Sequence, residues 1–501
     1  MQNCGKKEFL SVIDEDDKKH ILSEIVTGKS GITDMSERIS EIKQSLIPEN
    51  DISDSPIGEI FGKYNNILRQ SNTFDFDDLI TFPVHIFRNY PEILAKYRKR
   101  IEWILIDEYQ DINQAQYILI KLLMPGSDSN LFVVGDPNQA IYGFRGADVR
   151  YIQMFREDYE NATVFRLKKS YRCSDSILKA SENILKTNQK FLEGLQKGVK
   201  IKISENPTDK SEAEFVARNI ENMIGGMGFF SIDSQVAEGA KYEGIESLSD
   251  FAVLCRTSLQ MPVIEKALND HNIPYQKIGE VPILKQEPVK SILDVYRIIS
   301  NPENTFLKSR LLKKINISEE ILQKLKESFE GKSLISKLEL ITSICFQNRF
   351  KNEFVQSILI DLAKQYEGNE EALLQHILLG TGIDTWKPKT EAVNLMTLHS
   401  SKGLEFSCVF ITGCEENLIP YSLYEKKTAD PEEERRLLYV GMTRAKNYLF
   451  LTNARQRLLM GKELIQRRSY FLDEIEKELI ETEVAHINTK KKKESDQLEL
   501  F

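Results

Sequence analysis

The sequence predicts an α/β protein whose parallel sheets are interrupted by helical segments, and three observations predict it. Short apolar runs end in acidic or glycine-containing turns: Trp103-Ile104-Leu105-Ile106 precedes Asp107, and Leu131-Phe132-Val133-Val134 precedes Gly135-Asp136. Buried parallel strands read this way, with functional groups at their carboxyl ends. Similar runs recur at Phe251 to Leu254, Val393 to Thr397, Cys408 to Thr412 and Tyr448 to Thr452, alternating with helical patterns. Between Pro274 and Asp384 the pattern is almost wholly helical, so a helical insertion is expected inside the second α/β domain.

The elements before these strands follow from spacing and capping. Residues 14–26 and 57–70 have helical periodicity and are separated by a polar stretch from Ile47 to Pro56, so 1–72 reads as a small helical piece. Asn72 to Asp78 opens another helix, with Asp77 and Asp78 expected to accept from its free N–H groups. Beyond about residue 474 the chain turns polar, runs through Lys490 to Lys493, and ends in a short apolar segment. The expected divisions are 1–72, 73–165, 166–274, the insertion at 275–385, 386–474, and a flexible tail at 475–501.

Composition bounds the function without choosing it. A chain of 501 residues with 41% hydrophobic content holds about two to four domains with real cores. Disorder, collagen and small disulfide scaffolds are excluded. The 67 Lys and Arg against 76 Asp and Glu leave a net charge of −9, which names no partner, because phosphate binding depends on local charge. The six cysteines are scattered without a CxxC pair, so neither a zinc site nor a disulfide framework is suggested. No apolar run of about 18 residues or signal-peptide pattern occurs. The expectation is a soluble, cytoplasmic protein with no membrane partner.

Two strand ends carry the chemistry. Asp107-Glu108 stands where an apolar strand stops, and there one acid can hold the water shell of a magnesium ion while its neighbour orients or deprotonates an attacking water. Alone, the pair also fits a solvated helix start. The second strand end, Gly135-Asp136-Pro137-Asn138-Gln139, offers a tight turn and an amide able to contact a terminal phosphate. Phe144-Arg145-Gly146 follows, an aromatic and an arginine suited to stacking on a base beside a phosphate contact. A glycine-rich loop with a packed Phe is the alternative.

These strings resemble a known family. Asp107-Glu108-Tyr109-Gln110-Asp111 and Val134 to Asp148 (VGDPNQAIYGFRGAD) are similar to motifs II and III of the UvrD/Rep/PcrA group of superfamily 1 DNA helicases. Four further matches follow in family order: Ser170-Tyr171-Arg172-Cys173 resembles motif IV, Phe251 to Thr257 the next strand, Thr397 to Phe406 (TLHSSKGLEF) motif V, and Glu433 to Lys446 (EERRLLYVGMTRAK) motif VI. The resemblance implies two RecA-like parallel-sheet domains with helical insertions, the first domain N-terminally incomplete, with ATP and Mg2+ as cofactors. It implies that Asp107 helps place magnesium, Glu108 is the catalytic base, and Gln139 senses the γ-phosphate. Tyr171 would stack on adenine, Glu405 would bind near the ribose, and Arg172 and Arg444 would reach the γ-phosphate as arginine fingers. Single-stranded or partly duplex DNA would be held by Tyr142, Phe144, Arg145 and His399. Phe144 stands where the family often has tryptophan; stacking survives that change with less contact area.

One family feature is expected to be missing. Thr27-Gly28-Lys29-Ser30 is the only stretch approaching a Gly-x-x-x-x-Gly-Lys-Thr phosphate loop, but Ser23 stands at its leading glycine position and a helix precedes it. The family's adenine-reading glutamine and first DNA-contacting motif are not found either. A truncated or split reading frame is favoured over a natural remnant that binds DNA silently, because Glu108, Gln139, Arg172 and Arg444 are all kept. Hydrolysis by this chain alone is therefore expected to be weak or nil. Gln497, Leu498, Leu500 and Phe501, after the lysine run, look like the short peptides that dock on the bacterial sliding clamp; a chance apolar terminus is the alternative. Taken together, a 3'-5' translocase in DNA repair or replication, in the bacterial cytosol or nucleoid, is the expected function. A catalytically silent, DNA-binding or clamp-recruited remnant is the second reading.

Overall fold

A computed structural model describes residues 11–26, 31–126, 128–186, 192–225, 242–279, 281–300, 302, 304–315, 317–346, 353–380, 386–388, 390–422 and 430–484. The chain divides into two units, one formed by 1–164 with 279–385 and the other by 165–278 with 386–501. Both are mixed α/β assemblies in which strands of like direction pair. This is the architecture expected of a two-RecA-like-domain helicase fold.

In the first unit the sequence signals act locally. Asp14 caps the Glu15–Ile25 helix: its side chain accepts from Asp17 N at 2.9 Å, while Asp17 returns the bond to Asp14 N. Ser55 caps Pro56–Gln70, with proline at the first turn, where its missing N–H costs nothing. The apolar stripes of these helices and of Ile32–Gln44 meet around Ile21, Leu22, Ile39, Tyr64 and Leu68. Strands β1 (Ser11–Val12) and β2 (Thr73–Phe74) pair in parallel beside them. The expected capping by Asp77 and Asp78 is corrected. Asp75 accepts from Asp78 N at 2.9 Å, and Asp77 makes no cap bond. The reason is buried lysines: Lys43 Nζ lies 2.6 Å from Asp75 and 2.8 Å from Asp78, and Lys18 Nζ 3.3 Å from Asp77.

Strands β3 (Ile104–Ile106) and β4 (Leu131–Val133) form a two-stranded parallel sheet, with Leu105 opposite Phe132. One face packs on Tyr109, Ile112, Ile120, Tyr151, Ile152 and Phe155. The other presents Trp103, Leu105, Phe132 and Val134 to solvent, with Leu105 72% exposed. Residues 279–385 contribute helices Val289–Ser300, Thr305–Ile315, Glu319–Glu327, Leu334–Phe346, Glu353–Tyr366 and Glu370–Leu379 around their own apolar core. They are tied to the Glu15–Ile25 helix by charge. Buried Asp17 pairs with Arg297 at 3.3 Å and with Arg310, and Asp294 takes each arginine at 2.9 Å. Burial opposes the Asp17 charge, but the two guanidiniums outweigh it and hold the carboxyl below its ordinary range.

The second unit is built on a larger sheet. After the short parallel pair β5 (Lys169–Ser170) and β6 (Glu193–Gly194) come β7 (Ile201–Thr208), β8 (Phe251–Cys255), β9 (Tyr275–Ile278), β10 (Val393–Thr397), β11 (Phe406–Thr412), β12 (Ala445–Leu459), β13 (Lys462–Ile465) and β14 (Ile480–Val484). The eight-stranded sheet runs β14-β7-β12-β11-β8-β10-β9, with β13 on β12 as its antiparallel hairpin partner. All residues of β8 and β11 are buried. Strands β9 and β14 lie in ranges read from sequence as helical insertion and flexible tail. Both are edge strands with polar, half-solvated patterns (YQKI, IETEV), so they lack the apolar run that marks the central strands. Strand β7 went unread for a related reason: its buried Ser204 and Asn206 break the apolar pattern.

Candidate functional site

The first set of site residues is assembled by the ends of β3 and β4. Val134 N donates to Ile106 O at 2.8 Å and Tyr109 N to Val134 O at 2.9 Å, which brings the two turns together. Glu108 adopts a left-handed backbone (φ 51°) with its N–H donating to Asp107 Oδ1 at 2.8 Å. This lifts both carboxyl groups to the surface at the strand terminus. Asp136 caps the turn that follows β4, accepting from Asn138 N at 2.9 Å and from Gln139 Nε2 at 3.0 Å. The two ends are joined by a residue that sequence reasoning gave no role. Buried Gln110 donates to Glu108 Oε2 at 2.5 Å and accepts from Asp136 N at 3.0 Å. Gly135 makes the approach possible, since a Cβ there would lie 2.5 Å from Gln110 Oε1.

A divalent cation fits this donor set in one way. Asp107 is an exposed carboxylate at a strand end, a hard oxygen ligand of the type magnesium takes together with waters and phosphate oxygens. Among the described residues no three His, Cys, Asp or Glu side chains cluster as a complete cage. The ring platform lies one turn further on. Tyr142 and Phe144 have centroids 6.1 Å apart, and the Arg145 guanidinium lies 5.6 Å from the first ring and 5.4 Å from the second. Phe144 is 58% exposed, so much of its ring area is accessible to solvent. Burial, followed by the charge of Asp111, raises the Tyr142 hydroxyl above its ordinary pKa and keeps it a neutral donor.

The second set belongs to the other unit. Tyr171 projects its ring into solvent. Arg172 Nε donates to Glu405 Oε2 at 2.8 Å, and Lys446 Nζ reaches Glu405 Oε1 at 2.9 Å. The bond from Lys446, and then that from Arg172, hold the Glu405 carboxyl below its usual range against partial burial. Lys446 was not singled out from sequence, although it closes the last matched motif. His399 sits half-buried in a turn after β10, where Leu398 N donates to Cys255 O at 2.8 Å.

Arg444 is held inside the second unit. Its side chain is buried and donates from Nε to Val440 O at 2.9 Å, from Nη1 to Leu404 O at 3.1 Å, and from Nη2 to Thr443 Oγ1 at 3.3 Å. In this conformation it ties the Pro431–Met442 helix to the 402–404 loop, and reaching a phosphate would require giving up these carbonyls. The described cysteines are all buried, and burial pushes the Cys173 thiol up to about 11 and Cys255 to about 12. Thiols buried in this way are little ionised and poorly nucleophilic. Thr27 to Ser30, Lys490 to Lys493 and the terminal Gln497, Leu498, Leu500 and Phe501 lie outside the described residues. No described helix is long and apolar enough to cross a membrane.

Comparison with known proteins agrees with the motif order. The UvrD/REP helicase N-terminal domain matches residues 2–160, and the UvrD-like helicase C-terminal domain matches 165–357 and 347–456. The chain is 30% identical to an ATP-dependent DNA helicase PcrA of Bacillus subtilis (strain 168), over 98% of this chain and 71% of that protein. It is 30% identical to the proteins of the same name from Staphylococcus epidermidis RP62A and Staphylococcus aureus MRSA252, over 95% of this chain and 74% of each. With matched domains spanning most of its length and relatives covered over more than two thirds of theirs, the chain belongs to the UvrD/REP helicase family.

Proposed function

We propose that this chain is an ATP-dependent DNA helicase or translocase that moves 3'-5' on single-stranded DNA in the cytosol, in repair or replication. The observation that carries the reading is the relay Glu108–Gln110–Asp136–Gln139, which mechanically joins a carboxylate suited to activate water with an amide suited to sense a phosphate. Asp107 would hold a magnesium ion, which when bound neutralises phosphate charge. Glu108 would orient and deprotonate the attacking water, and Gln139 would report the terminal phosphate through Asp136 to the β3 end. Tyr171 offers a stacking face for adenine, and Glu405 offers an acceptor near the ribose once Arg172 leaves it for a phosphate. A phosphate would offer the Arg172 guanidinium an oxyanion partner in place of the single carboxylate oxygen it now meets. Arg444 takes the same role only by releasing Val440 and Leu404. Tyr142, Phe144, Arg145 and His399 would grip successive bases and phosphates.

For this chain by itself we expect slow hydrolysis, because no Gly-x-x-x-x-Gly-Lys-Ser/Thr pattern occurs in its 501 residues to cradle phosphates and anchor magnesium. The deciding measurement is ATP turnover with and without single-stranded DNA, on the wild type and on Glu108→Gln. A DNA-stimulated rate of about 1–100 per second, abolished by Glu108→Gln, would remove the slow-hydrolysis expectation and strengthen the motor reading. DNA binding that ignores nucleotide altogether would favour the silent, DNA-binding alternative. The terminal segment 497–501 is proposed to dock on a sliding clamp, and deletion of those residues should abolish clamp binding while sparing DNA binding. Clamp binding that survives the deletion removes that part of the proposal.

A further inference from the structure

The helix Ile32–Gln44 carries none of the matched motifs, yet its last residue reaches the turn that presents Tyr142, Phe144 and Arg145. Gln44 Nε2 donates to Asp77 Oδ1 at 2.8 Å. The other Asp77 oxygen accepts from Ser40 Oγ at 2.7 Å and from buried Lys18 Nζ at 3.3 Å, so the carboxylate is fixed from two sides. One residue earlier, Lys43 is locked between Asp75 and Asp78, which fixes the helix end from which the Gln44 amide donates to Asp77. The Gln44 oxygen then stands over Gly146, where a Cβ would lie 2.4 Å away. Gly146 closes the platform turn with φ 81°, a left-handed conformation open to glycine and strained for other residues. On its far side the same turn is held by the bridge of Asn113 to Ala147 and by Asp148 N donating to Ile112 O at 3.1 Å.

We propose that Gln44 is the positioning residue of the Tyr142–Phe144–Arg145 platform: anchored on Asp77, it wedges the Gly146 turn so that the Phe144 ring and the Arg145 guanidinium are presented together to a DNA base. The proposal rests on the reading of that platform as a single-stranded DNA contact. The small helical region before residue 72 thereby acts on DNA without touching it. Gln44 bears no charge, so it tunes stacking geometry and leaves the phosphate contacts alone.

The test uses the full chain without nucleotide and an oligothymidylate carrying one 2-aminopurine. Affinity is read by anisotropy and base stacking by quenching of the 2-aminopurine fluorescence. Phe144→Ala should weaken binding about 10-fold and lose the quenching, the size expected for one stacked base. Gln44→Ala should weaken it about 3- to 10-fold with reduced quenching, an unchanged melting temperature and an unchanged dependence of affinity on salt. Gln44→Glu should behave like Gln44→Ala, because two carboxylates then face each other. Wild-type affinity and quenching in Gln44→Ala beside a defective Phe144→Ala would overturn the positioning role and leave the platform reading standing. A Gln44→Ala loss that alters the salt dependence would also overturn it. If Phe144→Ala itself binds normally, the platform reading falls and the proposal with it.

Discussion

The β3–β4 sheet and the eight-stranded sheet both carry candidate site residues, under different conditions. The β3–β4 sheet places its site residues at the carboxyl ends of its strands, whereas in the second unit Glu405 precedes β11, Arg444 and Lys446 flank the first residue of β12, and His399 follows β10; β3–β4 covers one face and leaves Leu105 and Phe132 72% and 55% exposed, while Val253 and Phe410 in the larger sheet are fully buried. Parallel sheets are ordinarily covered on both faces. Order at the β3 and β4 ends therefore comes less from apolar enclosure than from the polar cross-link that Gln110 makes between Glu108 and Asp136. In the second unit the reverse holds: the sheet is rigid through burial, and its site residues Arg172, Glu405 and Lys446 sit in an exposed, exchangeable ion cluster.

Substitutions should separate these regimes. Phe410→Ala, which removes a ring stacked on Phe450 at 4.4 Å in the larger sheet, should cost about 3–5 kcal/mol in urea unfolding. Arg457→Met should cost a similar amount, about 3–5 kcal/mol, because it strands Glu212 and Glu415, now paired at 2.5 and 2.6 Å in the core. Gly135→Ala should cost about 1–3 kcal/mol by pushing Gln110 off the Glu108–Asp136 link. Leu105→Ser, on the open face, should change stability by no more than about 0.5 kcal/mol and improve solubility. A Leu105→Ser cost matching that of Phe410→Ala would break the contrast between the sheets.

The smallest effect expected is a pH dependence in the second unit. Burial works against protonation of His271, but Glu214 and Glu221, each 3.1 Å from a ring nitrogen, outweigh it and raise its pKa. A raised folded-state pKa contributes stability that is fully present below the unfolded value of about 6.5 and is lost as pH rises through the folded value. The melting temperature of the wild type should therefore fall, relative to His271→Gln, as pH passes from 6 toward 8. Parallel curves for the two proteins would remove this contribution.

Legibility followed the same physics as stability. The apolar runs of β3, β4, β8, β10, β11 and the start of β12 announced themselves, because central parallel strands need continuous apolar side chains. Edge strands β9 and β14, and β7 with buried Ser204 and Asn206, did not, since their pairing is settled by neighbours far along the chain. Among site residues, Asp107, Glu108 and Gln139 were readable at strand ends. Gln110 and Lys446 were overlooked because their importance lies in a partner rather than in their own chemistry.

What the sequence determined by itself is the family, the acidic and amide residues at the ends of β3 and β4, and the order of its parts, because motif spacing and apolar runs are local. Where each charged side chain points was decided only by tertiary structure. Arg444 matches its motif yet is turned into the protein toward Val440 and Leu404, Asp77 leaves a helix cap to meet Lys18, and Gln44 reaches Gly146 across a hundred residues of chain. The physical reason is common to all three. A polar group withdrawn wholly or partly from water takes the partner that packing supplies, and that supply is a property of the folded neighbourhood, not of the residues on either side.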